Sequence, residues 1–223
     1  MPTIVLDETA PAIQHLCKKD KRLAKVIQMV GPITYEVESK DPYTFLIHEI
    51  IEQMLSVKAG AKIYGRLKDL CNGEILPEKI VQLTNEQIKS IGTSNFKVSY
   101  IRSLTNKVIS GELNLKTFEH LDDDEVYKKL LSLRGIGSWT AKMYLIFILD
   151  RQDILPYEDV AFLQSYEWMY KTKDRSMESI TKRCKKWKPY SSTAARYLYR
   201  ALDMGLTKKV FHLHKKEETN GES

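Results

Sequence analysis

Asp159 stands directly before VAFLQSYEWMY, an apolar run with helical spacing, so it reads as the N-cap of a helix. In that place the helix dipole favours the ionised carboxylate. A carboxylate held ionised is a poor proton acceptor and a good fixed anion. It suits a reaction that develops positive charge, such as cleavage of a glycosidic bond through an oxocarbenium-like sugar. Taken by itself, an aspartate in this position is also an ordinary helix cap.

A second stretch adds weight. Residues 130–149, LLSLRGIGSWTAKMYLIFIL, form an apolar helical run broken by Gly135-Ile136-Gly137. Glycine opens both positive φ and close approach of the backbone to another body. Amides of Gly137, Ser138 and Trp139 at the start of the second helix would point outward, as in phosphate-binding helix N-termini. Ile136 would tuck back and hold the turn. The unit reads as a sequence-blind grip on a nucleic-acid backbone, although Gly-x-Gly alone is weak. Asp159 follows Gly137 by 22 residues, past one helix and the loop DRQDILPYE. A short returning loop would bring it to the open side of the hairpin.

The elements that must position these groups are helical. Asp41-Pro42 opens a helix over YTFLIHEIIEQML, and Ser56 opens another that Gly73 closes. Thr84 with Gln87 and Asp122 with Glu125 form capping boxes, and Ser94 starts NFKVSYIRSLTNKVIS. The hairpin's second helix runs from Ser138 to Leu149; Ser176 and Ser191 or Ser192 cap two more. IQHLCKKDKRLAKVIQMV reads as one amphipathic helix ended by Gly31-Pro32. The pattern predicts about ten helices and no strand.

Composition sets limits. The 223 residues suffice for one large domain or two small lobes. No twenty-residue uncharged apolar stretch marks a membrane span, and the start carries no secretory core. Cys17, Cys71 and Cys184 are too few and too scattered for a disulfide framework or a four-cysteine metal site, and read as free thiols. The net charge of +6 is concentrated: residues 171–200 hold ten Lys or Arg and two acids. A local basic patch points to a polyanion. The five histidines show no ligand spacing, and His212-x-His214 lies in a polar tail.

LRGIGSWTAKMYLIFILDRQDILPYEDVAF resembles the signature of the helix-hairpin-helix DNA glycosylase superfamily, in particular the DNA-3-methyladenine glycosylase II family. FLIHEIIEQMLSVKAGAKIYGRL is similar to that family's run ending in Gln-x-x-Ser-Val-x-x-Ala. KKWKPYSSTAARYLYR is similar to its Trp-Lys-Pro segment. The resemblance covers roughly residues 35–205. It implies an all-α fold of two helical lobes with a helix-hairpin-helix motif and the active cleft between them. The lobes are expected at 1–42 plus 134–206, carrying hairpin and aspartate, and at 43–133, followed by a frayed tail at 207–223.

The resemblance also implies roles. Asp159 stabilises the sugar cation. Trp139 and Gln53 line the pocket for the flipped base, and an indole face attracts a cationic base. Met54 is the wedge that fills the emptied stack, its unbranched side chain suiting an irregular gap. Gly135, Gly137, Ser138 and Lys142 contact DNA, with Lys182 to Lys188 as further phosphate contacts. Backbone carbonyls of Leu131, Leu133 and Ile136 match the place where relatives hold a structural monovalent cation; no cofactor is required.

Two departures from the superfamily matter. Members that also cut the strand carry a lysine where this chain has Trp139, so the implied reaction is base removal alone. Glu158 stands where the family often has aspartate. The expected activity is therefore monofunctional hydrolysis of the N-glycosidic bond of alkylated purines, of the 3-methyladenine type, in base excision repair. A cationic alkylated base leaves without protonation, which accords with the absence of an evident general acid. The expected partner is double-stranded DNA with a damaged base, bound by a monomer without membrane contact. The expected location is the cytoplasm with the nucleoid in a prokaryote, or the nucleus in a eukaryote. Two alternatives remain open at this point: a glycosylase for oxidised, deaminated or mismatched bases, and a non-catalytic DNA-binding helix-hairpin-helix protein.

Overall fold

Asp20 interrupts the single helix expected over IQHLCKKDKRLAKVIQMV. In the computed structural model, which describes residues 3–37 and 41–213, it adopts an extended conformation (φ −141°, ψ 100°). Its carboxylate caps a second helix by accepting from the amides of Arg22 and Leu23 at 3.0 and 3.3 Å. The amino-terminal segment is thus β1 (Thr3–Leu6), α1 (Pro11–Lys19), α2 (Lys21–Val30) and β2 (Ile33–Glu36). The strands pair antiparallel, Thr3 opposite Glu36 and Leu6 opposite Ile33. The expectation of no strand is corrected: TIVL and ITYE are each four residues, too short for alternation to stand out.

The chain continues through α3 (Pro42–Glu52), α4 (Val57–Leu70), α5 (Pro77–Gln82), α6 (Asn85–Ser90), α7 (Asn95–Ile109), α8 (Asp123–Leu131) and α9 (Ser138–Phe147). It ends with α10 (Val160–Tyr170), α11 (Met177–Cys184) and α12 (Ser191–Asp203). The architecture is helical, as expected, with one small sheet. The expected caps are present: Asp41, Ser56, Thr84, Ser94, Asp122 and Ser176 each accept from an amide in the first turn of their helices.

The described residues form two compact units. One runs from 37 to 151 and holds α3 to α9; the other joins 3–36 to 152–213. The first boundary lies at 36/37, not 42/43. The second lies at 151/152, not 133/134, so the hairpin belongs to the central unit. Packing explains this. Helix α9 is buried along most of its length, and Tyr144 meets the rings of Phe45 and Phe118 edge-on at 6.1 and 6.0 Å. Arg151 closes the unit by donating to the carbonyls of Phe118, Glu119 and Leu121 at 2.7–3.2 Å.

In the other unit α10 packs on α12 and both on α2. Ser165 Oγ donates to the Leu198 carbonyl at 2.9 Å inside the contact, and the Tyr197 hydroxyl donates to the Leu6 carbonyl at 2.9 Å. The tail is less frayed than expected. Trp168 Nε1 donates to the Lys209 carbonyl at 2.7 Å, and Phe211 is buried against the Trp168 ring, 5.0 Å away. Residues 214–223, including His214, lie outside the described residues.

Candidate functional site

Asp159 is the N-cap of α10. Its Oδ1 accepts from the Phe162 amide at 2.7 Å, and its carbonyl accepts from Leu163 at 2.8 Å. The residue is 8 % exposed. The Tyr199 hydroxyl is hydrogen-bonded to the carboxylate. Burial pushes the Tyr199 phenol far up, and the charge of Asp159 and that hydrogen bond push it further. Tyr199 therefore stays a neutral donor across the physiological range.

The loop leading into Asp159 is stapled to the start of α12. Asp153 accepts from Lys188 Nζ at 2.9 Å and from Ser191 Oγ at 2.5 Å. Ser192 accepts from the Ile154 amide at 3.0 Å, and its own amide donates to the Gln152 carbonyl at 3.0 Å. Lys188, expected on a phosphate, is paired with Asp153 while its side chain stays largely exposed. One expectation is corrected here. Ser191 and Ser192, expected as caps, hold the loop, while Tyr190 occupies the N-cap position. Sequence reading missed Tyr199, Asp153 and this role of the serines. The one available signal was that KPYSS and the residues before Asp159 belong to two motifs of one family.

In the central unit the hairpin is built as its residues suggest. Ile136 is buried, and its amide donates to the Leu133 carbonyl at 3.1 Å. Gly135 has φ +85°, and a Cβ there would lie 2.3 Å from the Tyr100 ring. Only glycine fits, on both counts. Gly137 is different. It is extended (φ −102°), and a Cβ would meet nothing within 4 Å. The fold does not require glycine there, whereas close approach of an outside backbone would. Gly137 is also the N-cap of α9 and supplies no side-chain cap. Ser138 Oγ accepts from the Tyr127 hydroxyl at 2.7 Å.

Trp139 is the second residue of α9 and is 37 % exposed. Lys142, expected on a phosphate, is only 8 % exposed. A lysine enclosed to that degree is not presented to a DNA backbone, and the expectation is corrected. Leu131 is the last residue of α8, where helix carbonyls run out of amide partners.

Glu52, Gln53, Met54 and Leu55 form a β-turn, with the Leu55 amide donating to the Glu52 carbonyl at 3.1 Å. Gln53 has φ −49° and ψ 131°, and Met54 has φ 59°. This is a type II turn with methionine where glycine or asparagine is usual. The Met54 side chain is fully exposed. A bulky residue in the left-handed region costs on the order of 1–3 kcal/mol, and here no packing offsets it.

The turn is fixed from both sides. Gln53 Nε2 donates to the Gly135 carbonyl at 2.7 Å. Lys97 Nζ donates to the carbonyls of Ile51 and Gln53 at 2.7 and 2.6 Å, closing the end of α3. Burial lowers the pKa of Lys97. Gln53, expected in the base pocket, also acts as a strut between turn and hairpin. Lys97 and Tyr100 were not singled out in the sequence, because nothing local in NFKVSYIRSL marks them.

Comparison with known proteins shows the family of the chain. A family model described as HhH-GPD superfamily base excision DNA repair protein matches residues 47–189. DNA-3-methyladenine glycosylase 1 of Schizosaccharomyces pombe is 30 % identical over 192 residues, covering 83 % of this chain and 84 % of that protein. The structure of a 3-methyladenine DNA glycosylase of the same yeast with abasic DNA superposes with a TM-score of 0.79 at 28 % identity. It covers 93 % of this chain and 100 % of that one. A DNA-3-methyladenine glycosidase of Bacillus halodurans gives 0.79 at 30 % identity, covering 91 % and 94 %. The chain belongs to the HhH-GPD superfamily of base excision DNA repair proteins.

Proposed function

We propose that this protein is a monofunctional DNA glycosylase of the 3-methyladenine glycosylase II type, removing alkylated purines from duplex DNA. The observation that carries this reading is Trp139. At the exposed start of α9 the chain offers an indole, not an amine. An indole face attracts a cationic base by about 0.5–2 kcal/mol. It cannot form a Schiff base with the sugar.

In this reading the duplex backbone approaches Gly137 and Ser138, and Met54 enters the stack as the base turns out. Asp159 faces the positive charge that builds on the sugar as the bond to the base lengthens. Its anion is held in place by the Phe162 amide and the Tyr199 hydroxyl, so little reorganisation is needed during the reaction. The alkylated base carries its own positive charge and departs unprotonated. Water completes the hydrolysis, and no redox or organic cofactor enters the chemistry. Carbonyls of Leu131, Leu133 and Ile136 would be the oxygen ligands of a monovalent cation held at the hairpin.

The test is release of base from a duplex carrying one 3-methyladenine or 7-methylguanine. Asp159→Asn should bind the duplex as the parent does and release base at least a hundredfold more slowly. The parent's product should be an uncut strand with an abasic site, and borohydride should trap no covalent adduct. Parent-like release by Asp159→Asn, or efficient trapping, would refute this reading.

A further inference from the structure

The unit formed by 3–36 and 152–213 carries a depression of about 400 Å³. Two chain segments line it. Lys171, Thr172 and Lys173 follow α10, and Thr207, Lys208 and Lys209 follow α12, with Trp168 as one wall. Lys171 has φ 53°, and the Trp168 bond to the Lys209 carbonyl fixes the second segment. The four lysines are brought together by ordered backbone.

Like charges gathered in one depression repel, and the acid at the rim offsets this only in part. Glu167 is engaged first by Arg175, whose Nε and Nη2 donate to its two oxygens at 2.7 and 3.0 Å, and it attracts Lys173 more weakly. Among the described residues none of the four lysines forms an ion pair. The C-terminal dipole of α10 accounts for a cation at Lys171, but not for two more from a segment 37 residues on. The two threonine hydroxyls add neutral donors, the combination that phosphate oxygens favour.

We propose that this depression is a second DNA contact, which takes backbone phosphates of the duplex outside the lesion site. This rests on the DNA-repair reading only in that the phosphates are those of duplex DNA. Sequence-blind contacts of this kind raise affinity and its salt dependence and leave the chemical step alone.

The test compares Lys171→Gln/Lys173→Gln, Lys208→Gln/Lys209→Gln and the four changes combined with a control of equal charge, Lys18→Gln/Lys19→Gln. Affinity for long and short lesion duplexes is measured by fluorescence anisotropy between 50 and 200 mM salt. Each lost phosphate contact should reduce the slope of log affinity against log salt by about 0.9. The expected loss is roughly two for either pair and up to about four for all four changes, on the long duplex only. The control should change the slope by much less, and base release at saturating enzyme should match the parent. An unchanged slope overturns the proposal, as does an equal effect of the control pair. If inorganic phosphate stabilises the parent but not the fourfold variant while the slopes stay equal, the site takes small phosphates and the duplex assignment fails. Failure of the glycosylase reading would show separately, as no base release by the parent.

Discussion

Gln53 and Gly135 lie 82 positions apart and are joined by one 2.7 Å hydrogen bond, side-chain amide to hairpin carbonyl. The bond ties the turn carrying Met54 to the hairpin that presents Gly137 and Trp139. Gln53→Ala should leave the helices intact and loosen the registry of turn and hairpin. We expect affinity for an abasic duplex to fall about twofold to tenfold, the worth of one net hydrogen bond of about 0.5–1.5 kcal/mol. Gln53→Glu should be worse, since a carboxylate would face a carbonyl. If Gln53→Ala binds as the parent does, the strut is dispensable.

Met54 sits where glycine would be at ease. Met54→Gly should therefore be as stable as the parent or more so, by up to about 1 kcal/mol. It should release base poorly from a duplex while still acting on an unpaired lesion. Thermal melting and a comparison of paired with bulged substrates check the two halves. A loss of stability would show that Met54 packs against something in the folded protein.

The two hairpin glycines should respond oppositely. Gly135→Ala meets both positive φ and the Tyr100 ring, and should cost about 2–5 kcal/mol of stability. Gly137→Glu projects into open space and should fold normally, yet bind every duplex sequence more weakly. Chemical denaturation and anisotropy separate the cases. Equal stability losses would contradict the geometry at Gly137.

Tyr199→Phe removes a neutral donor from Asp159. A hydrogen bond to a charged group is worth about 1.5–3 kcal/mol, so base release should slow by about tenfold to a hundredfold with duplex affinity preserved. The phenol's pKa is pushed well above its ordinary value, so it remains protonated as pH rises to about 10. The rate ratio of parent to variant should be flat from pH 6 to 10. A ratio that collapses below pH 10 would mean the phenol ionises in that range.

Asp20 gives the molecule a pH-dependent anchor. Burial raises its pKa, but hydrogen bonds from Tyr170, Trp187 and Lys186 outweigh that and leave it lowered. Trp187 Nε1 donates at 2.9 Å, Lys186 Nζ lies at 3.0 Å, and Tyr170 also donates. A carboxylate with a depressed folded-state pKa adds stability above its unfolded value of about 3.9, and loses it as pH falls through the folded value. Stability should thus drop as pH falls below about 4, and drop less in Asp20→Asn. Asp20→Ala at neutral pH should cost about 1–3 kcal/mol for the orphaned donors, plus about 1 for the lost cap. Urea denaturation at several pH values decides both.

What the sequence disclosed and what it withheld divide by range. Caps at Asp41, Ser56, Thr84, Ser94, Asp122 and Ser176 are written within four residues, and all were readable. So were the hairpin and the cap at Asp159. Asp20 was hidden because KKDKR has the composition of a solvated face, and only Tyr170 and Trp187, some 150 residues away, reveal it as buried. Gln53, Lys97 and Asp153 act through partners 35 to 82 positions distant. No local pattern encodes such pairings. Lys142 misled because a lysine after an exposed tryptophan resembles a surface residue until the helix is placed.

The unit that carries Asp159 is made from both ends of the chain, with Tyr197 donating to Leu6, Arg22 to Met169 and Trp187 to Asp20. On the ribosome these partners emerge far apart in time. At about 5–20 residues per second, roughly 10–40 s separate Leu6 from Tyr197. The central unit, contiguous from 37 to 151, can form while α1 and α2 still wait with their apolar faces uncovered. The nascent protein therefore has its hairpin and its Met54 turn before Asp159 has a helix to cap, so the proposed grip on DNA is built before the proposed catalytic group is placed.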